Sequence, residues 1–276
     1  MKSLDRTQRY EMPVTFGPVP LAHIRYGDVT SVSIPYTTKA RDEYAALLPP
    51  ALELPDETIV TVTHQRIADV SFLAGREYAI VSVSLNAIFK DDQESIFGGY
   101  GAILWENDVY SIIVGREPFG APKLHADISD LRKNGEDWSF ECSEFGTPLV
   151  SGYFQGMKEL EQAEVETMTT QGGRPKVNFR YKHIPRATGG ADVSYLMRGN
   201  NFKSTVDRAW TGAGRHHFYE VSRDTAPVSY RVVSRLRLLT VDEYLPAVAS
   251  HGTTDIEQGT GYPLALRKPV GATISK

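Results

Sequence analysis

The chain has 276 residues, 41% hydrophobic and 23% charged, enough for one large all-β or α+β unit and too apolar for a disordered chain. Its 30 basic and 34 acidic side chains leave a formal charge of −4, and no long Lys/Arg run occurs, so nucleic acid and an anionic membrane are not expected as partners. The single cysteine, Cys142, allows no internal disulfide, which suits a reducing cytoplasm. The opening residues carry charges throughout, which is unlike a signal peptide, and the most apolar segment, Tyr78 to Phe89, is broken by Ser82, Ser84 and Asn86. A soluble, cytoplasmic protein without a membrane span is the expectation.

Period-two patterning dominates the chain. Val29 to Tyr36, Ile59 to Thr63 and Tyr78 to Leu85 alternate apolar with small polar residues, as strands with one buried face do. Between the first two, Thr37-Thr38 predicts the cap of a short helix that ends before Pro49-Pro50. Tyr100 to Trp105 and Val109 to Val114 flank Glu106-Asn107-Asp108, and the three polar residues read as the turn of a hairpin. A second hairpin, turning at Asn134-Gly135, would join Leu124–Ile128 to Trp138–Cys142. Lys158 to Met168 has helix-forming composition, and further strands are expected at Val177–Ile184, Val193–Met197 and Val228–Leu239. Gln171-Gly172-Gly173 and Thr188-Gly189-Gly190 read as short loops, and the Gly- and Thr-rich tail after Ser250 as a surface wrap. With no internal repeat and no linker, residues 1–276 form one expected domain. It would be α+β, predominantly antiparallel β, with a few short helices and its edges protected by closure into a barrel or sandwich.

The most informative stretch is Gly115-Arg116-Glu117-Pro118-Phe119-Gly120-Ala121-Pro122-Lys123. Its two glycines and two prolines fix an irregular backbone, and Lys123 begins the next strand-like segment. A lysine after such a loop is ordinarily solvated. One that pointed into a water-poor interior would lose its proton more readily, and a neutral amine is what condensation with a ketone requires.

This stretch resembles the Gly-Arg-Glu…Gly-x-Pro-Lys signature of the acetoacetate decarboxylase superfamily, with Tyr100, Asn107, Ile113, Val114 and Gly115 at the family spacing. Arg174-Pro175-Lys176-Val177-Asn178 followed by Lys182-His183-Ile184-Pro185 is similar to a second family segment, and Ala209-Trp210-Thr211-Gly212 to a third. Asp224 to Val228, Tyr36-Thr37 and Leu48-Pro49 add weaker matches. The resemblance implies an acetoacetate decarboxylase-like β-barrel that forms homo-oligomers, with Lys123 as the imine-forming residue. It also implies a buried glutamate, best matched by Glu77, for proton transfer. An N-terminal arginine, nearest Arg25, would bind the substrate carboxylate. Arg116 and Glu117 belong to the signature and would shape the pocket floor, and Arg116 is an alternative partner for the carboxylate. Two departures stand out. Leu124 occupies the position of a second family lysine, and Thr63, His64 and Gln65 stand where an earlier family glutamate is expected.

Other constellations carry less. Neighbours on a strand face opposite ways, so His216-His217 does not make a metal site. His64 and His125 read as ordinary strand residues, although His125, two residues after Lys123, shares its face if the stretch is extended and could support the lysine indirectly. Gly98-Gly99-Tyr100-Gly101 lacks the Lys-Ser/Thr of a phosphate loop, and no serine nucleophile elbow occurs. Tyr244 and Tyr262 could supply a phenol. No metal or other cofactor is expected. The sequence thus suggests a Schiff-base lyase that decarboxylates a small 3-keto acid. An alternative is a pyruvate aldolase-dehydratase with an aldehyde co-substrate, and a third reading is a non-catalytic binding protein on the same scaffold.

Overall fold

The computed structural model describes residues 5, 7–19, 23–92, 94–171 and 177–264. The strands are β1 (Ile24–Thr37), β2 (Leu52–Glu53), β3 (Ile59–Val70), β4 (Arg76–Lys90), β5 (Ser95–Glu106), β6 (Lys123–His125), β7 (Asp127–Ile128) and β8 (Arg132–Asn134). They continue as β9 (Asp137–Glu144), β10 (Thr147–Glu159), β11 (Asn178–Pro185), β12 (Ala191–Arg198), β13 (Asn201–Phe218), β14 (Glu243–Tyr244), β15 (Ala247–Glu257) and β16 (Tyr262–Pro263). The helices are α1 (Arg41–Ala45), α2 (Val109–Arg116), α3 (Gln162–Gln171) and α4 (Tyr230–Leu236).

All these strands join one sheet in the order β16-β12-β11-β5-β4-β3-β1-β15-β13-β10-β9-β7, with the short β14, β2, β6 and β8 attached beside β1, β4, β5 and β9. Pairing is antiparallel except along one edge of β5, where β11 and β6 run parallel to it. The expected antiparallel α+β architecture is therefore observed. Among the described residues the path of pairs does not close into the barrel the sequence suggested; it curls, open at β16 and β7. Curling lets strands far apart along the path share one core. Val32 and Ile34 of β1, Val81 and Val83 of β4, Trp105 of β5, Phe140 of β9, Phe154 of β10 and Ala249 of β15 all belong to it. Alternation then sends Tyr78 and Ile80 of β4 to the other face. There they pack with Ile67, Val70, Tyr26 and Leu104 in a separate cluster.

Several elements differ from the sequence reading. Val109–Val114 is not the second strand of a hairpin but the body of α2. The Asp108 side chain accepts a hydrogen bond from the Ser111 N–H at 2.7 Å, a helix cap that outweighs the β-branched composition of Ile112, Ile113 and Val114. Val228–Leu239 likewise contains α4, with Val233 and Leu236 buried three residues apart on its inner face. Glu144 holds the start of this segment by accepting from the Val228 and Ser229 N–H groups, each at 2.9 Å. The hairpin at Asn134-Gly135 is present as β8–β9, but Leu124 belongs to β6 and pairs with β5 instead. Of the stretch after Ser250, residues 251–257 complete β15, which lies between β1 and β13, Tyr262 and Pro263 are exposed in β16, and residues 265–276 lie outside the described residues. The loop at Gln171-Gly172-Gly173 and the matches at Arg174, Pro175 and Lys176 lie outside the described residues, apart from the backbone of Gln171, which closes α3. No helix among the described residues is long and apolar enough to cross a membrane.

Candidate active site

Lys123 opens β6, and its position is fixed from both sides. The Leu104 N–H donates to the Pro122 carbonyl at 3.0 Å, which starts the parallel pairing, and Leu104 lies opposite Lys123 in register. The preceding loop folds back under α2. Ala121 N–H bonds to the Gly115 carbonyl at 3.0 Å, and Gly120 adopts a φ of 61°, a left-handed conformation natural to glycine. Arg116 completes the clamp by donating from Nη1 to the Lys123 carbonyl at 2.6 Å.

The Lys123 side chain then runs beneath α2, across Gly115. A β-carbon at position 115 would lie 2.6 Å from Lys123 Cδ and Nζ, so only glycine leaves room. The amine ends 3.0 Å from the Ser111 carbonyl, to which it donates, and 2.8 Å from Glu106 Oε1. Lys123 is 8% exposed and Glu106, the last residue of β5, is wholly buried. Among the described residues neither Glu106 oxygen accepts a well-angled hydrogen bond, so the amine is its one close charge partner. The cluster's remaining members come from three other strands. The Tyr78 hydroxyl donates to that of Tyr26 at 3.2 Å, and Arg180 of β11 acts electrostatically on both Glu106 and Lys123.

Burial is the main influence on both members of the ion pair, and it acts in opposite directions. Desolvation pushes Lys123 below the ordinary lysine value and Glu106 above the ordinary carboxylate value; their mutual attraction opposes both shifts without cancelling them. The charge on Arg180 lowers Lys123 further. Both shifts move the pair towards its neutral form, in which the proton lies on the carboxyl and the amine is free. The arrangement offers a nucleophilic nitrogen and a proton donor within bonding distance of each other, in surroundings that exclude bulk water.

The sequence-derived candidates fall in different places. Lys123 is in the cluster, and Arg116 supports it through the backbone rather than through a ligand-facing fork. Glu117 ends α2 and lies within the electrostatic reach of Lys182, whose Nζ donates to the Pro118 carbonyl at 3.2 Å. Glu77 is not beside Lys123. It sits exposed at the start of β4, paired with Arg66 of β3, which also contacts Asp28 at 3.2 Å. The buried carboxylate is Glu106 instead. Arg25 is exposed on β1, where its N–H bonds to Ser71 Oγ at 2.9 Å. His125 is exposed, and His64 is wholly buried against Phe140 with Nε2 3.1 Å from the Ser129 carbonyl. His216 stacks on Tyr36 at 4.6 Å while the exposed His217 meets Tyr219, the opposed arrangement expected of strand neighbours. Tyr244 reaches His216 rather than the cluster, and Tyr262 is exposed on β16. Among the described residues no group of three potential metal ligands forms.

The sequence reading missed Glu106 and Arg180. Extending the alternation of β5 by one residue would have placed Glu106 on the face opposite Trp105, but Glu-Asn-Asp composition disguised it as a turn. Arg180 sits between Phe179 and Tyr181 in a strand that was recognised, and nothing local marks it.

A lysine-centred site on a curled antiparallel sheet is the class that this geometry defines. The chain belongs to the acetoacetate decarboxylase family, whose model, Acetoacetate decarboxylase (ADC), matches residues 11–261. A relative named acetoacetate decarboxylase from Burkholderia mallei is 26% identical over 256 residues, covering 93% of this chain and 94% of its own length. Among solved structures, one described as acetoacetate decarboxylase superposes with a TM-score of 0.73 at 20% identity, covering 94% of this chain and 96% of the other. The enduracididine biosynthesis enzyme MppR, solved in complex with pyruvate, superposes with a TM-score of 0.65 at 12% identity over 93% of this chain and 97% of its own. MppR is also known bound to the condensation product of pyruvate and imidazole 4-carboxaldehyde. Family membership supports lysine-based chemistry of the lyase type.

Proposed function

We propose that the protein is a cofactor-free Schiff-base lyase that decarboxylates a small 3-keto acid through an imine at Lys123. The observation that carries this reading is the buried Lys123 amine held 2.8 Å from the buried Glu106 carboxyl. The neutral amine adds to the keto carbon, forming a carbon–nitrogen bond and a carbinolamine. Glu106, as the acid, protonates the departing hydroxyl, and water leaves to give the iminium ion. The bond to the carboxyl carbon then breaks. Its electron pair moves towards the iminium nitrogen, carbon dioxide departs and an enamine remains. Glu106, left as the carboxylate, takes up a proton from solvent and delivers it to carbon, and hydrolysis returns the ketone and the amine. The iminium is itself the electron sink, so the cycle calls for no further cofactor. A water-poor site favours the central step because the carboxylate loses its charge as it leaves.

A second reading keeps the imine and changes the bond made. Pyruvate at Lys123 would lose a methyl proton, and the enamine would attack an aldehyde, with dehydration to an unsaturated keto acid. The MppR complexes with pyruvate and with a condensation product give it a specific basis, and so does Leu124, which leaves no second cation directly after Lys123.

Borohydride reduction in the presence of acetoacetate or pyruvate, followed by intact and peptide mass, tests the imine. The expected result is an adduct on Lys123. No adduct from either keto acid would leave only the binding-protein reading. Carbon dioxide release from acetoacetate then supports decarboxylation, whereas new conjugated absorbance with pyruvate and an aromatic aldehyde supports condensation.

Glu106→Gln should separate the two roles of the carboxylate. Losing the proton donor should lower the plateau of kcat about 10² to 10⁴-fold. The anion also holds the Lys123 value up. Without it the lysine value falls further, so the acidic limb of kcat/KM, where activity is lost as the amine protonates, should move to lower pH. A limb that stays in place or moves upward would count against the direct pairing.

A further inference from the structure

Arg180 has no role in the steps above, yet it lies where they would occur. Strand β11 pairs with β5 only at Asn178 and Phe179, opposite Gly99 and Tyr100. Since β4 covers the other edge of β5 along its length, β11 and β6 share the remaining edge, with β6 starting at Leu104. Arg180 is the first residue past the β11 pairing, at the gap between these two segments. Beyond it β11 meets the loop that precedes Lys123, where Gly120 abuts the backbone of Lys182.

The Arg180 side chain is half-buried, and among the described residues its guanidinium forms neither a hydrogen bond nor an ion pair; its electrostatic neighbours are Tyr26, Glu106, Tyr78 and Lys123. The two phenols are neutral, since burial raises both, Tyr26 to about 12. Charge can therefore be counted. Lys123 and Glu106 sum to zero whether the proton sits on nitrogen or oxygen, and Arg180 adds one positive charge. Asp108, which accepts the Ser111 N–H at the start of α2, acts on Lys123 and Glu106, whereas Glu106 is the one carboxylate that acts on Arg180. A half-buried fork of donors with one uncompensated charge matches one carboxylate.

We infer that Arg180 is the specificity-determining residue that receives the substrate carboxylate, so that the site selects anionic keto acids over neutral ketones and presents their carbonyl carbon to Lys123. The inference rests on the imine reading and applies to both reactions proposed for it. It also reassigns the carboxylate from Arg25 and Arg116, the first of which is exposed and the second bound to the Lys123 carbonyl.

Pyruvate and its neutral methyl ester are suitable probes, with the half-saturating concentration for borohydride-trapped adduct as the readout. The wild type should favour pyruvate by about 30-fold, the scale of a charge-assisted contact. Arg180→Gln should reduce that preference to about 3-fold or less while still trapping the ester, which shows that the fold and the amine are intact. A wild type that takes both probes equally, or an Arg180→Gln variant that keeps the preference, would overturn the assignment. If Arg180→Gln traps neither probe, Arg180→Lys decides: a retained preference for pyruvate supports the assignment, and none overturns it. Absence of adduct from both probes on the wild type would defeat the imine reading alone. Calorimetric binding of pyruvate to wild type and Arg180→Gln would then decide the role of Arg180, an unchanged Kd overturning it and a loss of about 30-fold supporting it.

Discussion

Lys123→Ala should abolish turnover, by roughly 10⁴-fold or more, while leaving a folded protein. The amine forms the bond in every step proposed, and among the described residues no second lysine enters the buried cluster with Glu106. Removing one partner of a buried ion pair is commonly destabilising because the other charge is stranded. Glu106 has an escape, since burial already raises its carboxyl value, and without Lys123 it can remain protonated and neutral. Arg180 supplies a remaining positive neighbour as well. Lys123→Arg should fail equally, because a guanidinium stays protonated and cannot add to a carbonyl. The check is kcat/KM beside a thermal melt for each variant. Residual activity near wild type in a folded Lys123→Ala protein would refute the mechanism.

Gly115→Ala should produce a separation that few single substitutions give: activity lost by about 100-fold or more, with stability unchanged or slightly higher. Gly115 lies inside α2, where alanine is favoured over glycine by about 0.5–1 kcal/mol. The new methyl would, however, lie 2.6 Å from Lys123 Cδ and Nζ, and a flexible lysine would move before a helix does. Displacement of a reacting group by about 1 Å costs on the order of 10²-fold in rate. A melt and a trapping assay on the same preparation read both effects. An active Gly115→Ala enzyme would mean that the amine does not need to pass where it does.

This glycine also shows what the sequence could reveal and what it could not. The signature from Gly115 to Lys123 was readable as a family pattern, and so were the strands at Val29, Ile59, Tyr78 and Val177, because one buried face imposes period two. The reason for Gly115 was hidden, since it depends on a side chain eight residues later folding back beneath the helix. The helix was itself concealed by Ile112, Ile113 and Val114, which locally favour a strand; its decisive signal was Asp108, a cap that was read as part of a turn. Glu77 and Glu106 illustrate the same limit for charges. Both stand at ends of alternating strands, and only the pairing of β3 with β4 gives Glu77 an exposed arginine partner. Only the parallel pairing of β5 with β6 seals Glu106 beside an amine. Arg180 was beyond reach for a similar reason, because its company is decided by a strand pairing that spans some eighty residues of sequence.

The attachment of β6 and β11 to one border of β5 as separate pieces has an evolutionary consequence. Bond-making equipment and the proposed anion recognition are carried by different stretches of chain, which meet only where Arg180 acts on the ion pair and Lys182 abuts Gly120. A lineage could trade one keto acid for another through the hairpin of β11 and β12 while inheriting the nucleophile intact, so descendants that share the lysine signature need not share a diet.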